Sequence, residues 1–325
     1  MGNLLKQATQ PLLVCAGLVF SGLLHAAWPA DQAIKLIVAQ APGGTNDTVA
    51  RLVAVELGKV LGQTVIIDNK PGASSAIGMQ AVVQAKPDGY TLGLASDSAA
   101  LLDTTRTART WKFKQDLQGV AMIGDQPISI AVSAKTPYQS LADVVKAAKD
   151  KPGEIAYGTS GVGSSQHVVG EWLAKLAQAR LIHVPYKGGG QAMTDVVSGQ
   201  VPVAVLGLAP MLAQEKAGKV RIVAVTTPKR DPSVPKVPTL TELGYPQISL
   251  AQWAGVVAPA GTPPDVIKRL SDAMQKVLAL PAVKQQLMEA GIQPVPMDNV
   301  RFSEFLRTNV DMWSALVPSL NLKLE

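Results

Sequence analysis

The sequence predicts an α/β protein of two lobes, and three observations predict it. A chain of 325 residues, 47% hydrophobic and 17% charged, is long enough for two cores. Short apolar runs rich in β-branched residues alternate with stretches of helical period, the order that a parallel sheet with right-handed crossovers needs. The succession strand, glycine-rich loop, helix, strand occurs in both halves, although the halves share no obvious repeat.

Residues 34–39 form the first predicted strand, stopped by Pro42-Gly43-Gly44. Thr45 or Asn46 can cap the helix that follows, in which Val49, Leu52, Val53 and Leu57 recur with the spacing of one buried face. Gly62 ends that helix, and residues 64–67 give the second strand. A polar loop, 68–75, leads into a helix over about 76–85. Pro87-Asp88-Gly89 then turns the chain into a strand over 90–95 that ends at Ser96-Asp97-Ser98.

A strand over 128–132 and a helix near 141–149 precede a break at Pro152-Gly153, where the pattern restarts. Residues 155–157 form a strand, 158–167 a Gly/Ser loop, and Val168, Val169, Trp172, Leu173 and Leu176 one helix face. A strand over 181–184, the loop from Pro185 to Gly190, a helix with Met193, Val196 and Val197, and strands over 201–206 and 220–225 follow. Five prolines between Pro228 and Pro246 mark a surface connection back to the first lobe. A strand over 253–258, a helix from Pro263 to about 279 and amphipathic helices near 282–290 and 300–316 complete the chain.

The stretches Pro42 to Asp47 and Gly158 to His167 read as two lips of one anion-binding cleft. Each follows a strand and opens a helix, so each presents free N–H groups at the positive end of a helix dipole and needs no lysine or arginine. One such turn alone is ordinary chain reversal. Several polar loops on the rim of an open parallel sheet are the stronger sign, because ligands collect at strand ends there. Asp47, in the first helical turn, offsets the dipole rather than meeting an anion.

The totals exclude much else. Aromatics are 4%, too few for single-strand stacking platforms, and the net charge of +6 is scattered rather than clustered, which argues against nucleic acid. Lys6, an apolar run over 12–24 and Ala26-Ala27 have the form of a signal peptide over 1–27, cleaved near Ala27, with export to a periplasm. Cys15, the only cysteine, falls inside that segment, so the mature chain has no disulfide and no thiol chemistry. Beyond His25 the histidines are His167 and His183, far apart in sequence, and no metal site or cofactor is expected. Ser160-Gly161-Val162 fails the G-x-S-x-G elbow at Val162, the Gly161–Gln166 segment misses the last glycine of a dinucleotide fingerprint, and no P-loop occurs, so no enzyme is expected.

Nine motifs occur in one order: the leader, Pro42 to Asp47, Asn69 to Ala73, Pro87 to Thr91, Gly158 to Gly163 with His167, His183 to Gly188, Gly218 to Arg221, Pro238-Thr239 with Glu242 to Gly244, and Ala258 to Pro263. Together they resemble the extracytoplasmic solute receptors of the tripartite tricarboxylate transporter system, also called the Bug family. The resemblance spans essentially the whole mature chain. It implies a two-domain periplasmic binding protein (type II-like), each domain a mainly parallel sheet flanked by helices, with two crossovers. The domains would be 28–126 plus 250–325 and 127–249. It implies a monomer that closes by hinge motion on a small carboxylate and serves membrane transporter subunits, or else a sensor protein. A periplasmic hydrolase and the effector-binding half of a transcription regulator are the weaker readings.

By position, the resemblance implies that Gly43, Gly44 and Thr45, helped by Ser74, Ser75 and Ser96, form the first lip. Thr159, Ser160, Gly161, Ser164 and Ser165 would form the second, with His167 as a hydrogen-bonding group rather than a base. Two departures from relatives stand out. Ala39-Gln40-Ala41 replaces an aromatic wall before the first lip. The strand end Val203 to Leu208 lacks an aspartate that would suit an amino group, which favours a ligand without one.

Overall fold

Strand order in this protein is set by one long strand that belongs to both sheets. The computed structural model describes residues 28–105 and 109–322, so the expected leader lies outside the described residues. The elements run β1 (Ile34–Val38), α1 (Thr45–Leu61), β2 (Val65–Asn69), a 3-10 turn (Ala73–Ser75), α2 (Ala76–Val83), β3 (Thr91–Ser96) and the short helices α3 (Asp97–Ala100), α4 (Leu102–Thr105) and α5 (Phe113–Asp116). Then come β4 (Leu117–Ser133), α6 (Leu141–Asp150), β5 (Ile155–Thr159), α7 (Ser165–Leu176), β6 (Leu181–Pro185), α8 (Gly189–Ser198), β7 (Val203–Gly207), α9 (Leu208–Lys216) and β8 (Val220–Val225). The chain ends with β9 (Ala251–Pro259), α10 (Pro264–Ala279), α11 (Pro281–Glu289), β10 (Gln293–Met297) and α12 (Asn299–Ser319).

The first sheet has the order β2-β1-β3-β9-β4, and β10 also pairs with β4. Its strands β1, β2, β3 and β4 run one way, with β9 and β10 opposed. In the second sheet β4 lies between β8 and β7, followed by β5 and β6, and β4 alone opposes the other four. In each sheet most strands share one direction, but β9 and β10 in the first and β4 in the second pair antiparallel with their neighbours, so both sheets are mixed.

β4 leaves the first sheet at the pair Pro127↔Ala251 and enters the second at Ile128↔Gly207. Thr226 clasps this crossing to the return strand. Its N–H donates to Ile128 O at 2.9 Å, its hydroxyl accepts from Ile128 N at 3.0 Å, and Leu250 N donates to its carbonyl at 3.0 Å.

The sequence reading captured only residues 128–132 of this strand. Its first half carries Gly119 and Gly124, which break the apolar run but are dictated by packing. A β-carbon at Gly119 would lie 2.9 Å from the Ser303 nitrogen. Helix α9 and strand β10 were also missed, the latter because Pro294 and Pro296 disguise an edge strand. The proline-rich connection is less superficial than expected: Val234, Val237, Leu240 and Ile248 are buried, and Thr239 bridges to Val225.

Helices α1 and α10 cover one face of the first sheet, packing Val49, Val53, Leu57, Leu270 and Met274 on Leu36 and Leu92. Helix α12 covers the other, and Phe302 meets Trp253 edge-on with ring centroids 5.6 Å apart. Phe302 is fully buried, so Phe302→Ala is expected to cost about 3–5 kcal/mol, measured as a shift in the urea unfolding midpoint at unchanged slope.

Candidate functional site: the seam between the sheets

The loops at the ends of β1, β3, β5, β6 and β7 meet along the seam, and there the two halves touch. Ala41 N donates to Lys187 O at 3.4 Å, the Ser74 hydroxyl donates to Val162 O, and the hydroxyls of Ser98 and Ser165 lie 3.1 Å apart. Glycine allows the approach. A β-carbon at Gly188 would sit 2.9 Å from Ala41 N, one at Gly190 2.7 Å from Pro42 O, and one at Gly161 2.7 Å from Ser74 Oγ. Ala73, Ser74 and Ser75 are three successive non-glycine residues with positive φ, at 47°, 52° and 80°. Such backbone costs about 1–3 kcal/mol per residue and survives where the surroundings over-determine it, as at ligand clamps.

The helix starts divide by place. Away from the seam, Ser140 and Asp143 form a capping box on α6, Asp298 caps α12, and α10 and α11 begin at Pro264 and Pro281. At the seam, α7 is capped by Ser164 and the Ala209 amide of α9 donates to Gln126 Oε1 at 2.9 Å, but α1, α2 and α8 begin at Gly44, Ser75 and Gly188 with no side-chain cap. The starts of α1 and α8 abut, since a β-carbon at Gly44 would lie 3.5 Å from Gly189 N. Uncapped helix amides facing one another suit an anion. Outside these lips a groove of about 790 Å³ runs past Pro42, Gly43, Gly190, Gln191 and Thr194.

Polar side chains converge beneath the lips. A β-carbon at Gly207 would meet Gln252 Oε1 and Thr45 Oγ1 at 2.7 Å and Gln126 Nε2 at 2.9 Å. A chain of hydrogen bonds crosses the seam from the Ser160 hydroxyl to Gln166 Oε1, then from Gln166 Nε2 to Gln252 Oε1 at 3.3 Å. Yet Asn46 Oδ1, Ser96 Oγ, Gln252 Nε2 and both carboxyl oxygens of Asp97 are buried without a hydrogen-bond partner. Each such atom costs about 1–3 kcal/mol, a heavy load against a typical total stability of about 5–15 kcal/mol. Burial pushes the Asp97 carboxyl up to about 7, although Ser165 and Gln252 lie near enough to favour its charged form.

The family model described as tripartite tricarboxylate transporter family receptor matches residues 49–322. The chain belongs to that family. Among receptors of this kind, it is 32% identical over 294 residues to BugT of Bordetella pertussis, covering 90% of each chain. MatC from Rhodopseudomonas palustris, solved with bound malate, superposes with a TM-score of 0.83 at 26% identity, over 88% of this chain and 99% of the other. Rpa4515 of R. palustris, solved with adipate, gives 0.86 at 28%, over 90% and 98%.

Of the receptor residues expected from sequence, Gly43, Gly44, Thr45, Ser74, Ser75, Ser96, Thr159, Ser160, Gly161 and Ser165 all lie at or beneath the seam. Some hydroxyls there are spent locally. Ser164 caps α7, accepting from His167 N at 3.2 Å and donating to Gly161 O at 2.7 Å. The Thr159 hydroxyl lies 2.6 Å from His183 Nε2 and accepts from Gly161 N. His167 sits below the lip, its Nδ1 accepting from Gly163 N at 3.1 Å and its ring stacked 3.7 Å from that of His183. Asp47 accepts from Gly43 N and from Arg51 and Asn69, so it pins the first loop; those bonds outweigh its burial and lower its pKa.

Asp97, Gln126, Gln252 and the Gly188–Gly190 turn were missed, and Asn46 and Gln166, though inside the two expected lips, were not singled out as site residues. Of those missed, only the Gly188–Gly190 turn left a sequence signal, a glycine run before a helix like that at Gly43-Gly44. Asp97 also bears on the expectation of a site without an acid: Val203 to Leu208 has none, but the end of β3 supplies one.

Burial holds both histidines neutral, lowering His183 to about 4 and, with the charge of His183 adding to the effect, His167 to about 3. In the unfolded chain each returns to about 6.5, so below that pH the unfolded state binds protons the fold refuses. The histidines' contribution to stability is therefore full above pH 6.5 and falls as pH drops toward 4, while the raised Asp97 carboxyl acts in the opposite sense over about pH 4–7. His183→Gln should accordingly make stability fall less on acidification in urea titrations. Ser164→Ala should cost about 0.5–2 kcal/mol through the lost cap, with a smaller effect on ligand affinity than on the melting temperature.

Proposed function

We propose that this protein is an exported solute receptor that captures a small carboxylate between the two lips and presents the shut form to a membrane transporter. The observation that carries this reading is the set of uncapped helix starts, from α1 and α2 on one side and α8 on the other, brought together at one seam. The malate and adipate in the two R. palustris proteins support a small carboxylate as its ligand.

The hinge in this reading is the double crossing at Gln126-Pro127-Ile128 and at Thr226 to Ala251, dividing the chain into 28–126 plus 250–325 and 127–249. The ligand is gripped by the amides of Gly44 to Asn46 and of Gly188 to Gly190, by Thr45 and Ser96, and by the loop Thr159-Ser160-Gly161 that Ser164 and His167 hold in shape. Ser74, Ser75 and Ser165 close the seam. Four or five charge-assisted hydrogen bonds at about 1.5–3 kcal/mol each support micromolar binding, which needs about 8 kcal/mol after ordering costs. The ligand bridges both lips and shifts the lobes toward closure. The protein works as a monomer, in the periplasm, without cofactor or bond-making.

A thermal-shift screen of the mature protein against small carboxylic acids tests this, because a ligand bound only by the folded form raises the melting temperature. At least one acid is expected to raise it in proportion to the logarithm of its concentration; no shift with any would contradict the reading. Gly190→Val, whose side chain collides with Pro42 O, should weaken that acid at least tenfold by calorimetry while leaving the melting temperature without ligand nearly unchanged.

A further inference from the structure

Asp97 is 1% exposed, and neither of its carboxyl oxygens has a partner in good hydrogen-bonding geometry, although the Ser165 and Gln252 side chains and the Ser98 amide lie near enough to favour its charged form. It lies at the end of β3, against Ser165 from the opposite lip and Gln252 from β9, whose Nε2 is also unpartnered. No lysine or arginine among the described residues forms an ion pair with it. An isolated buried carboxylate is costly, and a wholly anionic ligand beside it would be repelled.

We propose that Asp97 receives a protonated amine of the ligand, so that the carboxylate bound at the seam belongs to an amino acid rather than a plain diacid. This rests on the reading of the seam as a carboxylate site and names the ligand class within it. The ammonium donates to the Asp97 oxygens, and Ser96 Oγ, on the preceding residue, offers a further acceptor. The helix amides take the carboxylate, so the two ends of a zwitterion fall on groups of opposite character.

The walls β3, β9 and the 3-10 turn carry no titratable side chain. The other elements packed on α3 carry His167, Glu171 and Lys175 on α7, Asp103 on α4, Lys114 and Asp116 on α5, and the arginines and acids of α12. None of these ranks among the groups that set Asp97's ionisation, which are its burial, Ser165, Ser98 and Gln252.

The test is calorimetry on the full mature protein at pH 7 with matched pairs: aspartate against succinate, glutamate against glutarate, phenylalanine against 3-phenylpropanoate. At least one amino acid is expected to bind tenfold or more tighter than its deaminated partner. Binding should release protons, up to about half a proton per site, because a carboxyl titrating near 7 is pulled to its charged form by the ammonium. A plain diacid would instead raise that carboxyl and take protons up, so runs in buffers of different ionisation enthalpy give opposite signs. Asp97→Asn should abolish the tenfold preference by weakening the amino acid, and its melting temperature should stay at or above that of the native protein. Diacids binding tighter than amino acids, proton uptake with the best ligand, or an unchanged preference in Asp97→Asn would each overturn the inference while leaving the receptor reading intact. Failure of all six acids to bind would overturn the inference, the receptor reading being tested separately by the wider thermal-shift screen.

Discussion

Everything at the seam depends on helix starts whose amides the chain leaves uncapped. Away from the seam, Ser140 and Asp298 cover the first N–H groups of α6 and α12, Asp103 covers those of α5, and α10 and α11 start at prolines. At the seam, α1, α2 and α8 start at Gly44, Ser75 and Gly188, two of which have no side chain to offer. The absence of caps costs stability, and the glycines let backbone approach backbone. Both features make sense together if the donors are kept for a bound anion.

Such a site needs two rigid supports that can part. Strand β4 provides the link, passing from one sheet to the other between Pro127 and Ile128, and Thr226 ties it to the returning chain at Leu250. The strained run Ala73 to Ser75, held by Val162 from across the seam, is part of the same closed arrangement.

The lips were legible because their signals are local. Pro42-Gly43-Gly44-Thr45 and Gly158 to Ser165 advertise turn, free amide and hydroxyl within a few residues of sequence. The cage beneath them was not. Gln126 and Gln252 look like ordinary strand residues, and only the register that pairs them across β4 and β9 sets them side by side. Asp97 reads as a polar strand end until its burial and missing partners are seen. In the other direction, Ser164 and His167 stand in the right loop, but their polar atoms are spent on Gly161, Gly163 and the α7 start. Composition cannot say where a hydroxyl points, whereas packing does. The same limit hid the first half of β4, where Gly119 and Gly124 serve close contacts with the α12 and β10 segments and so break the pattern that marks a strand.

The most direct test of the central claim is a crystal structure of the mature protein with the acid that gives the largest thermal shift. The account predicts carboxylate oxygens within about 3 Å of backbone nitrogens in both the Gly44–Asn46 and Gly188–Gly190 turns. An acid held only in the outer groove, with those nitrogens turned away or bonded to protein atoms, would contradict it.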